Sequence, residues 1–199
     1  MASTRDRILD AAADVMRELG LARTTTKEIA RAAGCSEGLL YKHFRSKEEL
    51  FLGVLHERTA GSFTARLAAL AERAGRGTVR GNLTELARAA IDFYEDSFPR
   101  AASVFSEPQL LTSHREWLRE HGVGPHLVNV PLAGYLRAER ELGRVEQGVD
   151  PDAAAALLFG GCLQYAFFSA LTSPDRSAET YVEGLVSTLL DGIADTPGA

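Results

Sequence analysis

The chain has 199 residues, enough for one generous domain or for a small domain joined to a larger one. Hydrophobic residues make up 45% and charged residues 25%, the balance of a soluble globular protein that can build a sizeable core. The net charge of −5 argues against a nucleic-acid binder that is basic over its whole surface.

From the N-terminus, Ile8, Ala12, Val15, Met16 and Leu19 recur at three- and four-residue spacing and draw one apolar stripe, with Asp10, Asp14 and Glu18 opposite. Ser3 or Thr4 can cap this first helix, and Gly20 can stop it. Thr25-Thr26-Lys27-Glu28 then has capping-box form, with Thr25 at the N-cap and Glu28 reaching back to it. Ile29, Ala30 and Ala33 give this second helix an apolar face, and Gly34 ends it. Ser36 caps a third helix that runs to Phe44. Ser46-Lys47-Glu48-Glu49 is a second capping box, opening a fourth helix with apolar residues from Leu50 through Val54 to Phe63 and an end near Ala71. Gly75-Arg76-Gly77 is the clearest linker. Beyond it, helical patterns are expected over roughly 79–97, 100–111, 114–121, 124–142, 151–172 and 177–193. Pro99, Gly122, Pro125, Gly143, Gly148 and Pro174 punctuate them, and Pro131 kinks or delays the segment it falls in. No stretch alternates as a strand would. The chain is therefore expected to be all-α, with about nine helices.

The mean charge hides an asymmetry. Residues 1–50 hold nine Lys/Arg against eight Asp/Glu, and residues 23–47 hold six against two. Lys27, Lys42 and Lys47 are the only lysines in the chain. Charge asymmetry of this kind is a hint of nucleic-acid contact. Cys35 and Cys162 are far apart and form neither a disulfide framework nor a zinc pattern; buried free thiols in a reducing compartment are expected. The first twenty residues carry acids through their apolar stretch, unlike a signal peptide. The longest apolar run, 153–171, contains Gln164 and two adjacent glycines and is expected to be too short and mixed to span a membrane. A cytoplasmic protein without membrane partners is the reading.

Only about two residues around Gly34 separate the second helix from the third, a helix-turn-helix arrangement. Three capped helix N-termini, at Thr25, Ser36 and Ser46, can present free N–H groups to phosphate. Lys27 and Lys47 sit just inside two of them, which is unfavourable for an isolated helix and becomes favourable once a phosphate is present. With Leu40 and Phe44 facing inward, Glu37, Gly38, Tyr41 and Lys42 project outward, and Leu39 and His43 lie nearer the flanks. Gly38 costs about 1 kcal/mol relative to alanine in a helix, which close approach of the backbone to a groove floor would offset. Tyr41 can hydrogen-bond phosphate, and Lys42 and His43 can reach backbone or base edges.

The stretch TTTKEIARAAGCSEGLLYKHFRSKEEL resembles the DNA-binding domain of the tetracycline-repressor (TetR) family of transcriptional regulators. The likeness rests on Thr-Thr, Ile-Ala, Ala-Gly-Cys-Ser, Gly-x-Leu-Tyr-x-His-Phe and Ser-Lys-Glu-Glu-Leu at fixed spacing, over about the first quarter of the chain. The resemblance implies a helix-turn-helix DNA-binding domain over 1–50 and a ligand-binding and dimerisation domain over 51–199. It implies that Thr25 and Lys27 hold phosphate or reach a base edge. Ser36, Gly38, Leu39, Tyr41, Lys42 and His43 would form the major-groove helix and its flanking contacts, and Lys47 would clamp a phosphate. Glu37 and Leu39 depart from the more usual small or basic choices. Glu37 is either a partner of its own helix dipole or an acceptor from cytosine, and Leu39 could touch a thymine methyl.

The resemblance further implies a homodimer on a pseudo-palindromic duplex operator and a small-molecule effector inside the larger domain, with repression the usual mode. Candidates for the ligand region are Phe63, Phe93, Tyr94, Phe98, Phe105, Trp117, Tyr135, Phe159, Gln164, Tyr165 and Phe168, with His56, His114, His126 and Asn129 as further polar groups; ordinary core packing is the alternative for each. Candidates for a four-helix interface between two copies are Leu157, Gly160, Gly161, Leu163, Phe167, Leu171, Tyr181, Leu185 and Leu189, with central core as the alternative. No nucleophile with a base, no phosphate loop and no metal-ligand spacing is found, so neither enzyme chemistry nor a cofactor or metal is expected. A DNA-binding regulator without an effector, or an α-helical enzyme, are the competing readings.

Overall fold

The computed structural model describes residues 3–58 and 62–192, and these are helical throughout, with no strand among them. The helices are α1 (Thr4–Leu19), α2 (Thr26–Ala32), α3 (Glu37–His43), α4 (Lys47–Glu57), α5 (Ser62–Ala69), α6 (Val79–Phe105), α7 (Pro108–His121), α8 (Asn129–Glu141), α9 (Pro151–Leu171) and α10 (Ala178–Asp191). Short 3₁₀ turns at Leu21–Arg23, Leu70–Arg73 and Pro125–Val128 join some of them. By contacts the chain divides into two compact units, residues 1–61 with 96–122 and residues 62–95 with 123–199.

The first unit is built on α1. Ile8, Leu9 and Ala12 are fully buried, and Met16 nearly so, against Ile29 of α2, Leu40 of α3, Phe44, and Leu50 and Val54 of α4. At seven residues each, α2 and α3 are too short to be helical by themselves. Their order comes from caps and from burial: Leu40 and Phe44 are 0% and 1% exposed, and burying such a side chain contributes about 1.5–3 kcal/mol. Gly53 allows α4 this close, since a Cβ there would meet Leu9 Cδ2 at 3.0 Å and Phe44 Cε1 at 3.4 Å. Leu50 and Val54 share this core, so the expected domain boundary after residue 50 falls inside a helix whose two halves face one core.

The second unit packs Phe63, Leu70, Leu83, Ile91, Leu132, Leu158, Phe159, Val182 and Val186 into a separate core. One charged side chain enters it. Glu139 is fully buried; Gly75 N–H donates to its Oε1 at 3.2 Å, and Arg144 Nε lies 3.3 Å from its Oε2. The Gly75-Arg76-Gly77 segment is thereby tied down, with Arg144 also donating to Gly77 O. Cys162 is buried and its thiol is pushed up to about 12 by that burial, as a structural free thiol would be; Cys35 is only half-buried.

Several boundaries differ from expectation for local reasons. α4 ends at Glu57 instead of continuing toward Ala71. α6 runs unbroken through position 99, and the break falls at Ser106–Glu107 instead. Pro108 causes that break: proline suits the first helical turn, and it drives Glu107 into extended backbone (φ −119°, ψ 96°). Pro131 delays α8 to Asn129, where it sits in the first turn and removes no intrahelical bond. At 21 residues, α9 is long and apolar enough by length and composition to cross a membrane, contrary to the expectation that its run is too short. Ala155, Leu158, Phe159 and Cys162 of α9 nonetheless lie within the core of the second unit.

Candidate nucleic-acid interface

The turn between α2 and α3 is closed by two backbone bonds. Cys35 N–H donates to Ala30 O at 2.9 Å, and Gly34 N–H donates to Arg31 O at 3.2 Å. This is a Schellman ending, with Gly34 in the left-handed region at φ +64°, which favours glycine. Arg7 of α1 donates to Ala33 O at 2.9 Å and satisfies one of the carbonyls the helix end leaves open. The chain enters α2 through Thr24, which is fully buried and donates to Gly20 O at 2.8 Å. Arg7 and Thr24 position the turn without any sequence signature of their own.

All three N-termini are capped as their sequences require, but Glu28, Glu37 and Glu49, three of the four glutamates in their first turns, do different things. Thr25 Oγ1 accepts from Glu28 N–H, and Glu28 accepts in return from Thr25 N–H at 3.0 Å, a reciprocal capping box. Ser36 Oγ accepts from Leu39 N–H at 3.1 Å. Ser46 Oγ accepts from Glu49 N–H at 3.1 Å, while the Glu49 carboxylate accepts from Arg45 N–H at 2.7 Å. The second expected capping box is therefore displaced by one residue, because Arg45 N–H is the nearer free donor. Glu37 turns away from its own helix: Thr26 Oγ1 donates to Glu37 Oε1 at 2.9 Å, and Tyr41 Oη lies 3.4 Å from Thr26 Oγ1. Thr26 was not among the residues expected to matter.

The orientation of α3 follows from Leu40 and Phe44. Ser36, Glu37, Gly38, Tyr41 and Lys42 are exposed, and Leu39 and His43 are half-buried. Thr25 and Lys27 are exposed at the start of α2. Lys47 is half-buried with its ammonium 4.9 Å above the centre of the Phe51 ring, which holds the cation near the N-terminus of α4. Behind this face, Arg5 pairs with Glu57 at 2.5 Å, and Arg58 pairs with Asp6 at 2.8 Å and Asp10 at 2.7 Å, fastening α1 to the end of α4. Hydrogen bonds from Ser3 and Arg58 hold the Asp6 carboxyl down at about 2.

The residues expected to mark a ligand region are divided between the two units. In the second, Phe63, Phe93, Tyr94 and Phe159 form an aromatic cluster with Phe63 ring centres 5.0 Å from Phe93 and 5.6 Å from Phe159. Burial pushes the Tyr94 hydroxyl up to about 12, so it stays a neutral donor. Tyr135 is buried and accepts from Asn82 at 2.8 Å, and Tyr165 donates to Arg176 O at 2.9 Å; both hydroxyls serve the fold. Gln164 and Phe168 are exposed on α9 and do not belong to that interior.

Phe98, Phe105 and Trp117 belong to the first unit, with Phe105 70% exposed. There, His56 of α4 and His114 of α7 share a hydrogen bond (Nε2 to Nδ1, 3.0 Å), His56 stacks on Trp117, and Trp117 stacks on His121. Burial, followed by the neighbouring His114 and His121, pushes His56 down to about 4. His126 and Asn129 belong to the second unit. Among the described residues no group of three or more His, Cys, Asp or Glu is placed to hold a metal ion.

Of the residues expected at an interface between copies, Leu157, Gly160, Leu163, Phe167 and Leu171 recur at three- and four-residue spacing along one exposed side of α9. Gly161 instead faces α10 of its own chain, where a Cβ would stand 2.8 Å from Leu185 Cδ2, and Tyr181 donates to Gly161 O at 3.0 Å. Leu185 and Leu189 are partly buried against the second core.

Comparison with known proteins follows the same division. Residues 8–54 match the model for bacterial regulatory proteins of the tetR family. The transcriptional repressor KstR2 of Mycolicibacterium smegmatis is 45% identical over 56 residues, 28% of this chain and 27% of that one. The chain thus spans about a quarter of that relative's length. The transcriptional regulator YvkB of Bacillus subtilis is 26% identical over 165 residues, 80% of this chain and 82% of that one. Among solved structures, one from Mesorhizobium loti assigned to the TetR family of transcriptional regulators superposes with a TM-score of 0.78 at 24% identity, over 94% of this chain and 95% of that one. The regulator FadR of Bacillus subtilis, solved with stearoyl-CoA, gives 0.67 at 20% identity over 94% and 98%. At these identities the structural likeness establishes the fold.

Proposed function

We propose that the chain, whose residues 8–54 match the tetR family of bacterial regulatory proteins, is a member of that family and a sequence-specific DNA-binding transcriptional regulator: a cytoplasmic homodimeric repressor released from a pseudo-palindromic operator by an apolar or amphipathic small molecule. The observation that carries the DNA-binding part is the face of α3. Leu40 and Phe44 anchor it in the core while Gly38, Tyr41 and Lys42 stand in solvent beside the capped starts of α2 and α4. Polar and cationic groups that no core uses, next to helix N-termini, suit a phosphate backbone and the groove beside it.

The exposed apolar side of α9 supports the dimer. Leu157 is 65% and Leu171 67% exposed, and such a stripe is more than a monomer leaves in water without a partner. The Phe63, Phe93, Tyr94 and Phe159 cluster supports an apolar or amphipathic effector, with Tyr94 as its polar contact. FadR, of the same fold, is solved with an acyl-CoA, a ligand of that kind. A ligand releases the operator only by favouring a dimer in which the two α3 helices no longer match successive major grooves, about 34–36 Å apart. Footprinting and gel shifts on DNA from around its own gene test the reading. A protected palindrome is expected, with affinity falling steeply as salt rises. Failure to select any sequence from genomic DNA would sink it.

A further inference from the structure

We propose that Glu37 is a specificity-determining residue, reading the exocyclic amino group of a cytosine in each operator half-site, with Thr26 as its positioning residue. This rests on the DNA-binding function proposed above.

Four glutamates occupy first turns of helices in this region, Glu28, Glu37, Glu48 and Glu49, and the comparison between them separates two roles. Glu48 is held by its own backbone N–H and by Ser46 at the start of α4. Glu28 accepts from Thr25 N–H and Glu49 from Arg45 N–H, so each carboxylate is spent on backbone donors at a helix start. Glu37 makes no such bond. Its Oε1 is held across the turn by the Thr26 hydroxyl at 2.9 Å, with Tyr41 Oη 3.4 Å behind Thr26. The hydroxyl hydrogens can run in one direction, from Tyr41 to Thr26 to Glu37, which fixes the carboxylate on the exposed side of α3. Among the described residues no hydrogen bond reaches its Oε2, and the side chain is exposed.

A carboxylate in that place is a pure acceptor. Phosphates repel it, so in a complex with DNA its favourable place is over the bases. The cations beside it, Lys27 and Arg31, line the same groove on α2 and can take the flanking phosphates. On the major-groove floor only adenine N6 and cytosine N4 donate. The adenine amino group lies between two acceptors, its own N7 and the paired thymine O4, which oppose a second acceptor. The cytosine amino group has an acceptor on one side only. Cytosine is therefore the favoured partner.

The test is selection from DNA with randomised half-sites, using the full-length wild type and the variants Glu37→Gln, Glu37→Ala, Thr26→Val and Thr26→Ser. Wild type is expected to prefer cytosine at one position per half-site by about tenfold. Glu37→Gln should move that preference to adenine, since glutamine pairs with N6 and N7. Glu37→Ala should erase it. Thr26→Val should blunt it severalfold at that position alone, and Thr26→Ser should restore it. An unchanged base profile in both Glu37 variants, with wild type still selecting an operator, overturns this proposal and leaves the DNA-binding function standing. Selection of no sequence by wild type overturns both.

Discussion

Gly38 occupies a place where alanine would fit. A Cβ there would meet only Ser36 Oγ, at 3.9 Å, and the backbone is not left-handed. Nothing among the described residues requires a glycine there, which fits a close approach from outside the protein. Gly38→Ala should stabilise the fold by about 0.5–1 kcal/mol, read from a thermal melt, while weakening operator binding in a gel shift. Tighter binding by the alanine variant would remove the close-approach argument. Lys47 is a second single-residue case. Its contact with Phe51 is worth about 0.5–1 kcal/mol at such a site, so Lys47→Ala should barely move the melt. It should reduce the slope of log affinity against log salt by about one if the ammonium meets a phosphate. The exposures of Gly38, Tyr41 and Lys42 are legible from the spacing of Leu40 and Phe44. The bond from Thr26 to Glu37 is not, because it joins residues eleven apart across a turn whose geometry no local pattern encodes.

Helix ends were the most readable elements. Ser3, Thr25, Ser36 and Ser46 all cap where capping chemistry places them. Gly34 is the element-scale counterpart of Gly38 with the opposite sign. Its φ of +64° strains any L side chain, so Gly34→Ala should destabilise the first unit by about 1–2 kcal/mol and weaken operator binding with it. An unchanged melting temperature would show that the turn tolerates the change. The joint between α4 and α7 has a pH dependence. His56 binds its proton near pH 4 when folded, against 6.5 when free, so between these values the unfolded chain holds more protons. Its share of stability is present above pH 6.5 and is lost as pH falls toward 4. His56→Gln should make the fall in melting temperature across that window shallower without abolishing it, since burial lowers His114 as well, and leave the lower loss, from Asp6 below its free value of 3.8, in place. An equally steep fall in the variant would assign the effect elsewhere. The pairing behind it was not legible, since His56 and His114 are 58 residues apart.

For the molecule as a whole, the exposed side of α9 sets the expected assembly. Leu157→Glu with Leu171→Glu puts two charges on the stripe without touching a core side chain, since both leucines are more than half exposed. Sedimentation should show the wild type as a dimer and this variant as a monomer, with operator affinity lost and the helical content kept. A variant that stays dimeric would place the interface on another surface. Assembly matters to binding because one short helix reads few bases, and two held one helical turn apart read a site that is specific within a genome.

By itself the sequence determined whatever a local pattern can carry: all-helical folding, the caps, the turn at Gly34, the inward pair Leu40 and Phe44, and the family likeness concentrated in residues 8–54. Each of these depends on residues within a few positions of one another, where 3.6-residue periodicity and hydrogen-bond reach fix the outcome. Tertiary structure decided the rest: that α4 shares a core with α1, that α6 passes through position 99, that Gly161 faces α10 while Gly160 faces solvent, and that Glu37 is held by Thr26. Those outcomes depend on which distant surfaces meet, and the free energy that selects them is the burial of apolar area summed over the whole chain, which no short window contains.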